Sequence, residues 1–268
     1  MSIHKNLLLT SFCATVFTGW AARAADLSPP EPPPLPPPFT WAGIYAGGQV
    51  GYAWAPDDFN FVGFDPVSRL LVSSIIRNNP NGVIGGGHLG FQVQPNQLVL
   101  GIEGSVDGTS LNSNSAVGTI PFVFRGSQFS ASLSNGVQGS IRGKIGIAWD
   151  RFLVYGTGGV SLGGFNTNFE LTAASARPPF FAAATTSSTR VGWTAGGGIQ
   201  YAAANNWWYF IEYRFTDFGT LHNSLLANEL PAGAFFNGNR RLQENQVQAG
   251  FSYRFNFLPP AQPWVAKY

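Results

Sequence analysis

The chain has 268 residues and a formal net charge of +2; 15% of its residues are aromatic and only 10% are charged, against about 25% charged in an ordinary globular domain. So few charges do not coat a water-facing surface, and the weak net charge, with no basic patch interleaved with aromatics, excludes nucleic acid as a partner. One cysteine, Cys13, excludes a disulfide framework and thiolate metal chemistry.

The N-terminus reads as an export signal over residues 1–25. His4 and Lys5 form a polar start, Leu7 to Trp20 an apolar stretch, and Ala22-Arg23-Ala24 or the neighbouring Arg23-Ala24-Ala25 a small-residue cleavage site. Cys13 falls inside this stretch with too short an apolar run before it for a lipoprotein signal. Residues 26–40, with "LSPPEPPPLPPPF", form a proline-rich periplasmic linker of extended polyproline II type. A plain spacer is the simpler reading; docking to a polyproline-gripping partner is the alternative.

From Trp41 onward a period-2 pattern recurs over residues 41–54, 83–94, 98–107, 137–150, 152–163, 190–202, 207–217 and 246–257. The clearest case is "VQGSIRGKIGIAWDRFLVYGTGGVSLGG", residues 137–164. Val137, Ile141, Ile145, Ile147 and Trp149 form one row; Gln138, Ser140, Arg142 and Lys144 form the other. Each segment is long enough to cross a bilayer as a tilted strand. Short links fall at Pro95-Asn96-Gln97, Asp150-Arg151 and residues 203–206. Long ones fall at residues 55–82, 108–136, 164–189 and 218–245. Short turns alternating with long loops, and an even strand number, are the pattern of an all-β, eight-stranded antiparallel up-and-down transmembrane β-barrel over residues 41–257. A soluble sandwich also alternates, but without this regular alternation of loop length.

The apolar rows carry no charge and are assigned to lipid. Trp54, Trp149, Trp193, Tyr201 and Trp207 stand near segment ends, where aromatic girdles belong. The opposite rows carry His88, Glu103, Asp107, Arg142, Lys144, Arg190, Glu212, Arg214 and Arg254, with Gln49, Gln92, Gln138, Gln200 and Gln248. These nine ionisable residues are the candidate site, a charge network in the lumen. Buried charges need partners, and eight strands enclose a space that side chains fill. Neutralisation therefore explains His88, Glu103 and Asp107 better than metal binding or acid–base catalysis. No nucleophile with a base and an orienting group emerges, and His222 with Asn223 and Ser224 in the last long connection is the only cluster a surface hydrolase would offer. The glycine runs at Gly85–Gly87 and Gly196–Gly198 lack a following helix and the Lys-Ser/Thr of a phosphate loop; inside strands they relieve crowding and permit curvature.

"FTWAGIYAGGQVGYAW", "GVIGGGHLGFQVQPNQLVLGIEGSV", "VQGSIRGKIGIAWDRFLVYGTGGVSLG" and "RVGWTAGGGIQYAAANNWWYFIEYRFTDFG" resemble the outer-membrane immunogenic protein or porin-like barrel family of alphaproteobacteria, over about residues 41–257. The resemblance implies a small eight-stranded barrel at the cell surface, antigenic in some relatives. Such barrels commonly end on an aromatic read by the insertion machinery. Here "YRFNF" is followed by a tail, residues 258–268, so that Phe255, Phe257 or Tyr268 takes that role. The implied partners are outer-membrane lipid and the barrel-insertion machinery, and a homo-oligomer is compatible with both. No cofactor, metal or catalytic residue is expected. The expected function is that of a non-enzymatic surface barrel serving envelope integrity and the exposure of loops. The alternative is a narrow channel for ions or very small solutes, weakly anion-preferring because Arg142, Lys144, Arg190, Arg214 and Arg254 outnumber Glu103, Asp107 and Glu212.

Overall fold

A computed structural model of the protein describes residues 39–65, 69–111, 116–120, 127–173, 180–225 and 235–255. The expected signal peptide at 1–25, the linker up to residue 38, and the tail at 258–268 lie outside the described residues. The strands in chain order are β1 (Gly43–Trp54), β2 (Asp57–Asp65), β3 (Leu70–Asn78), β4 (Asn81–Val93), β5 (Leu98–Thr109), β6 (Ala116–Ile120), β7 (Ser127–Trp149), β8 (Phe152–Ala173), β9 (Phe180–Ala202), β10 (Trp207–Leu225) and β11 (Phe235–Phe255).

Eight of them close a ring of antiparallel neighbours, β1-β4-β5-β7-β8-β9-β10-β11. The last strand returns to the first, from Ile44 opposite Phe255 to Trp54 opposite Asn245. Over the height at which all eight pair, closure lets the main-chain groups of the ring bond internally, as lipid demands.

The other three strands are continuations of ring members. β2 meets β11 in the register that β1 set: Trp54 faces Asn245 and Phe59 faces Arg240. β2 likewise meets β3 in the register of β1 with β4, since Trp54 faces Asn81 and Asp57 faces Asn78. Pro56 and Pro80, which have no N–H to give a ladder, interrupt what is otherwise one long hairpin. A single bond, Ala55 N to Pro80 O at 2.9 Å, bridges the gap. β6 pairs β7 above the end of β5.

The two ends differ. At one end the connections are short, and Asn96 (φ 58°) and Asp150 (φ 51°) occupy the left-handed turn positions that Asn and Asp tolerate best. At the other end the expected long loops are largely strand. β8 and β9 stay paired from Phe152 opposite Tyr201 up to Ala173 opposite Phe180, well past the expected limits of residues 163 and 190. This corrects the sequence-based segment lengths, and the cause is a reversal of phase. Within residues 137–162 the outward row is apolar: Ile145 is 58% exposed while Lys144 beside it is 4% exposed. Farther along β8 the inward residue Phe165 is buried and the outward residues Asn166 and Asn168 are exposed. Beyond the bilayer water replaces lipid outside, and on β8 the polar face turns outward, while Leu71 and Ile75 of β3 and Phe181 of β9 stay exposed.

The girdle residues Trp54, Trp149, Trp193, Tyr201 and Trp207 all face outward and are exposed. Trp149, Tyr201 and Trp207 flank the short turns, whereas Trp54 and Trp193 stand at the far side of the apolar belt.

Candidate functional site

The lumen is stacked in layers that can be read along the inward face of β7. Ala148 sits in an apolar floor at the short-turn end, Lys144 and Arg142 in a charged layer, Ser140 and Gln138 in a polar layer, and Leu133 in an apolar cap.

The floor is built around Trp41, which precedes β1 and is fully buried with Tyr45, Val99, Leu153 and Trp208. Its backbone N–H donates to Gln94 Oε1 at 2.7 Å, its indole N–H donates to Asp150 O at 3.1 Å, and its carbonyl accepts from Gln92 Nε2 at 2.7 Å. The Trp41 ring lies 5.4 Å from that of Trp208, which lies 5.4 Å from Tyr45. Residues 39 and 40, expected to be linker, belong to this floor. Phe39 packs edge-on against Trp41 at 5.2 Å, beneath the guanidinium groups of Arg151 and Arg254.

In the charged layer, Arg142 spans the lumen and donates to Glu103 at 2.5 Å and to Glu212 at 2.5 Å. Lys144 pairs with the second Glu103 oxygen at 2.9 Å. Its ammonium also lies 4.9 Å from the Tyr45 ring centre and 4.8 Å from that of Tyr155. The two phenols complete the carboxylates: Tyr45 donates to Glu103 at 2.8 Å and Tyr155 to Glu212 at 2.9 Å. Arg214 donates to Glu212 at 2.9 Å and lies 3.5 Å from Asp107. Three cations thus meet three carboxylates, each nearly excluded from solvent. An incomplete set at this depth leaves a buried charge uncompensated.

Glycine makes room for the two phenols. A Cβ at Gly90 lies 2.4 Å from the Tyr45 hydroxyl, and one at Gly198 lies 2.8 Å from that of Tyr155.

Six of the nine expected residues are therefore brought together: Glu103, Asp107, Arg142, Lys144, Glu212 and Arg214. The other three are not in an ion pair among the described residues. His88 is buried between Gln49 and Ser252, its Nδ1 at 2.5 Å from Gln49 Oε1 and its Nε2 at 2.8 Å from Ser252 Oγ. Because the amide oxygen only accepts, Nδ1 carries the proton and Nε2 accepts from serine. Gln49 in turn donates to Asp107 at 2.5 Å. Arg254 lies at the short-turn rim, where it binds the main-chain carbonyls of Thr40 and Asn205. Arg190 stands near the opposite rim, partly exposed.

Sequence reasoning missed Glu244, which it left in the last long connection. Glu244 faces inward above the charged layer and accepts from Gln138 at 2.5 Å and from Gln246 at 2.6 Å. Gln246 and Gln248 continue the ladder down to Arg214. Glu244 shares the inward phase of Gln246, Gln248 and Arg254 along β11, and that signal was legible. With Glu244 present, and with Arg190 and Arg254 at the rims, the arginine excess behind the expected anion preference is absent from the middle of the lumen.

No cluster of His, Cys, Asp or Glu suited to a metal ion occurs among the described residues. The side chains of His222, Asn223 and Ser224 lie outside the described residues.

The chain is similar to known proteins. The 31 kDa outer-membrane immunogenic protein of Brucella melitensis is 30% identical over 171 residues, 62% of this chain and 69% of that protein. The 25 kDa outer-membrane immunogenic protein of Brucella ovis is 27% identical over 165 residues, 60% of this chain and 69% of that protein. Among solved structures, the outer membrane protein OprG from Pseudomonas aeruginosa matches with a TM-score of 0.47 and 11% identity, over 80% of this chain and 97% of that one. Neisserial surface protein A matches with a TM-score of 0.38 and 12% identity, over 80% and 98%. The model of the outer membrane protein beta-barrel domain matches residues 13–255, and the chain belongs to that family, as a β-barrel of the cell outer membrane.

Proposed function

We propose that the protein is a non-enzymatic surface barrel whose work is mechanical and presentational: it strengthens the outer membrane and holds its long strand extensions out from the cell. The observation that carries this reading is the stack of layers filling the lumen. The layer formed by Arg142, Glu103, Glu212, Lys144 and Arg214 lies between an apolar floor around Trp41 and Trp208 and an apolar cap of Leu133, Phe165, Phe218, Leu221 and Leu242. An ion entering this stack finds every charge of the central layer already paired and an apolar layer on either side of it, and an eight-stranded interior has little width to spare beside the side chains. The short-turn end faces the periplasm and the extended strands face outward, as in outer-membrane barrels generally.

Two measurements test the reading. Refolded protein in planar bilayers gives no stable conductance steps, and cells lacking the protein become more sensitive to detergent. Stable openings of about a nanosiemens, the scale of a water-filled pore in a much wider barrel, refute the filled lumen and favour the channel alternative. Unchanged envelope sensitivity in the deletion strain refutes the mechanical role.

A further inference from the structure

The ring of eight strands is not closed over its whole height. β9 and β10 pair from Ala202 opposite Trp208 as far as Trp193 opposite Asp217. Beyond that rung both strands continue, β9 back to Phe180 and β10 on to Leu225, and no further pairing joins them among the described residues. β10 is turned away at this point by a bulge. Its register with β11 shifts between Asp217 and Thr220, and Gly219 takes a left-handed φ of 80° with its N–H held by Asp217 Oδ1 at 2.8 Å. A seam therefore opens in the barrel wall beyond the point where Gly192 still lies against the Phe218 backbone.

Three features meet at the root of this seam. On the outside, Trp193 and Phe215 lie 5.4 Å apart as a lipid-facing aromatic pair, which sets the seam at the level of the outer-leaflet head groups. On the inside, Phe165 and Phe218 pack edge-on at 5.0 Å. Beside the inner pair stands Arg190, on the rung of Gly163, where a Cβ would lie within 3.2 Å of both phenyl rings. Arg190 has no acidic partner among the described residues, and its Nε is buried without a hydrogen bond. This is the one lumen arginine named from the sequence that neither the charged layer nor the rim carbonyls of Arg254 account for.

We infer that the β9–β10 seam is a lateral binding site for the anionic head of a single-chain amphiphile of the outer leaflet, with a carboxylate or phosphate on Arg190 and the alkyl tail running out past Trp193 and Phe215. A guanidinium fits either head group with two parallel N–H donors, and such a head group supplies the partner that the buried Nε lacks. The apolar walls exclude a purely hydrophilic anion as the preferred occupant. The site does not depend on whether the lumen conducts, since it opens to the side.

The test uses the full chain refolded in dodecyl maltoside micelles, with the heat-dependent gel shift as the check of folding. Dodecyl phosphate, laurate and inorganic phosphate are titrated by calorimetry. The expected result is saturable binding of at least one amphiphile, weakened tenfold or more by Arg190→Gln and changed less than twofold by Arg254→Gln. Wild-type affinity in Arg190→Gln, equal loss in Arg254→Gln, or inorganic phosphate binding as tightly as the amphiphiles each overturns the inference. A second measurement needs no charge variant. A bromine-labelled alkyl phosphate quenches tryptophan fluorescence, and Trp193→Phe removes part of that quenching; quenching unaffected by Trp193→Phe also overturns the site.

Discussion

An arginine scan along β7 tests the assignment of faces and the depth of each residue together. Ile145 lies four residues from the girdle residue Trp149, which is about 13 Å of strand at roughly 3.3 Å per residue. At a tilt of about 45° that becomes about 9 Å of height, within a few ångströms of the middle of an apolar band about 25 Å tall. Its side chain is 58% exposed, to lipid. Ile145→Arg should therefore cost about 2 to 4 kcal/mol, the range for an arginine at the midplane of a barrel's outer face. Val137 faces the same way at 61% exposure. By the same arithmetic it lies about 28 Å above Trp149, at the outer edge of the band, where the cost falls to about 0 to 1 kcal/mol. Lys144→Arg, one residue from Ile145 but inside the lumen, keeps a cation beside Glu103 and should cost less than Ile145→Arg. The assay is reversible urea unfolding in lipid vesicles followed by tryptophan fluorescence. Equal costs at Val137 and Ile145 refute the depth, and a cost at Lys144 matching that at Ile145 refutes the faces.

Three further outcomes follow from the lumen and its rim. Arg142→Met leaves Lys144 and Arg214 facing three carboxylates and should destabilise the barrel by about 3 to 5 kcal/mol; adding Glu212→Gln, which leaves Lys144 with Glu103 and Arg214 with Asp107, should recover part of that loss, and a double variant no more stable than the single one refutes the neutralisation argument. Trp41→Ala empties the periplasmic floor and should cost about 3 to 5 kcal/mol, with faster exchange of the Tyr45 and Trp208 side-chain protons seen by NMR; unchanged exchange means that Trp41 is not the stopper. At the outer end of the apolar belt, Asp217 accepts from Arg241 at 2.7 Å, from the Gly219 N–H at 2.8 Å and from Gln243 at 3.2 Å; Asp217→Ala leaves these donors unmatched and should cost about 1 to 3 kcal/mol, and an unchanged urea midpoint contradicts this.

The membrane-spanning part of the fold was legible because lipid imposes one rule on every strand: Leu89, Ile102, Ile145, Val160, Ile199, Ile211 and Phe251 all lie on the row opposite the charges, and all are exposed in the barrel. The central ion pairs were legible for the same reason, as Glu103 faces Arg142 across one rung. The strand extensions were not, because the rule reverses at the membrane boundary without any change of residue type to mark it. Phe165, Leu221 and Leu242 are apolar like Ile145, yet they point into the cap. Glu244 is as charged as Arg241, yet one is buried and the other exposed. A pattern that inverts partway along a strand reads as noise and then as loop. The inversion itself predicts an asymmetry. Phe165 packs against Phe218 in the cap, so Phe165→Asn leaves a cavity and an unmatched amide, at about 3 kcal/mol or more. Three residues on, Asn168 faces water, and Asn168→Leu should stay within about 0.5 kcal/mol. If Asn168→Leu costs as much as Phe165→Asn, the upper strands do not carry an inward apolar face, and the apolar cap above the charged layer goes with it.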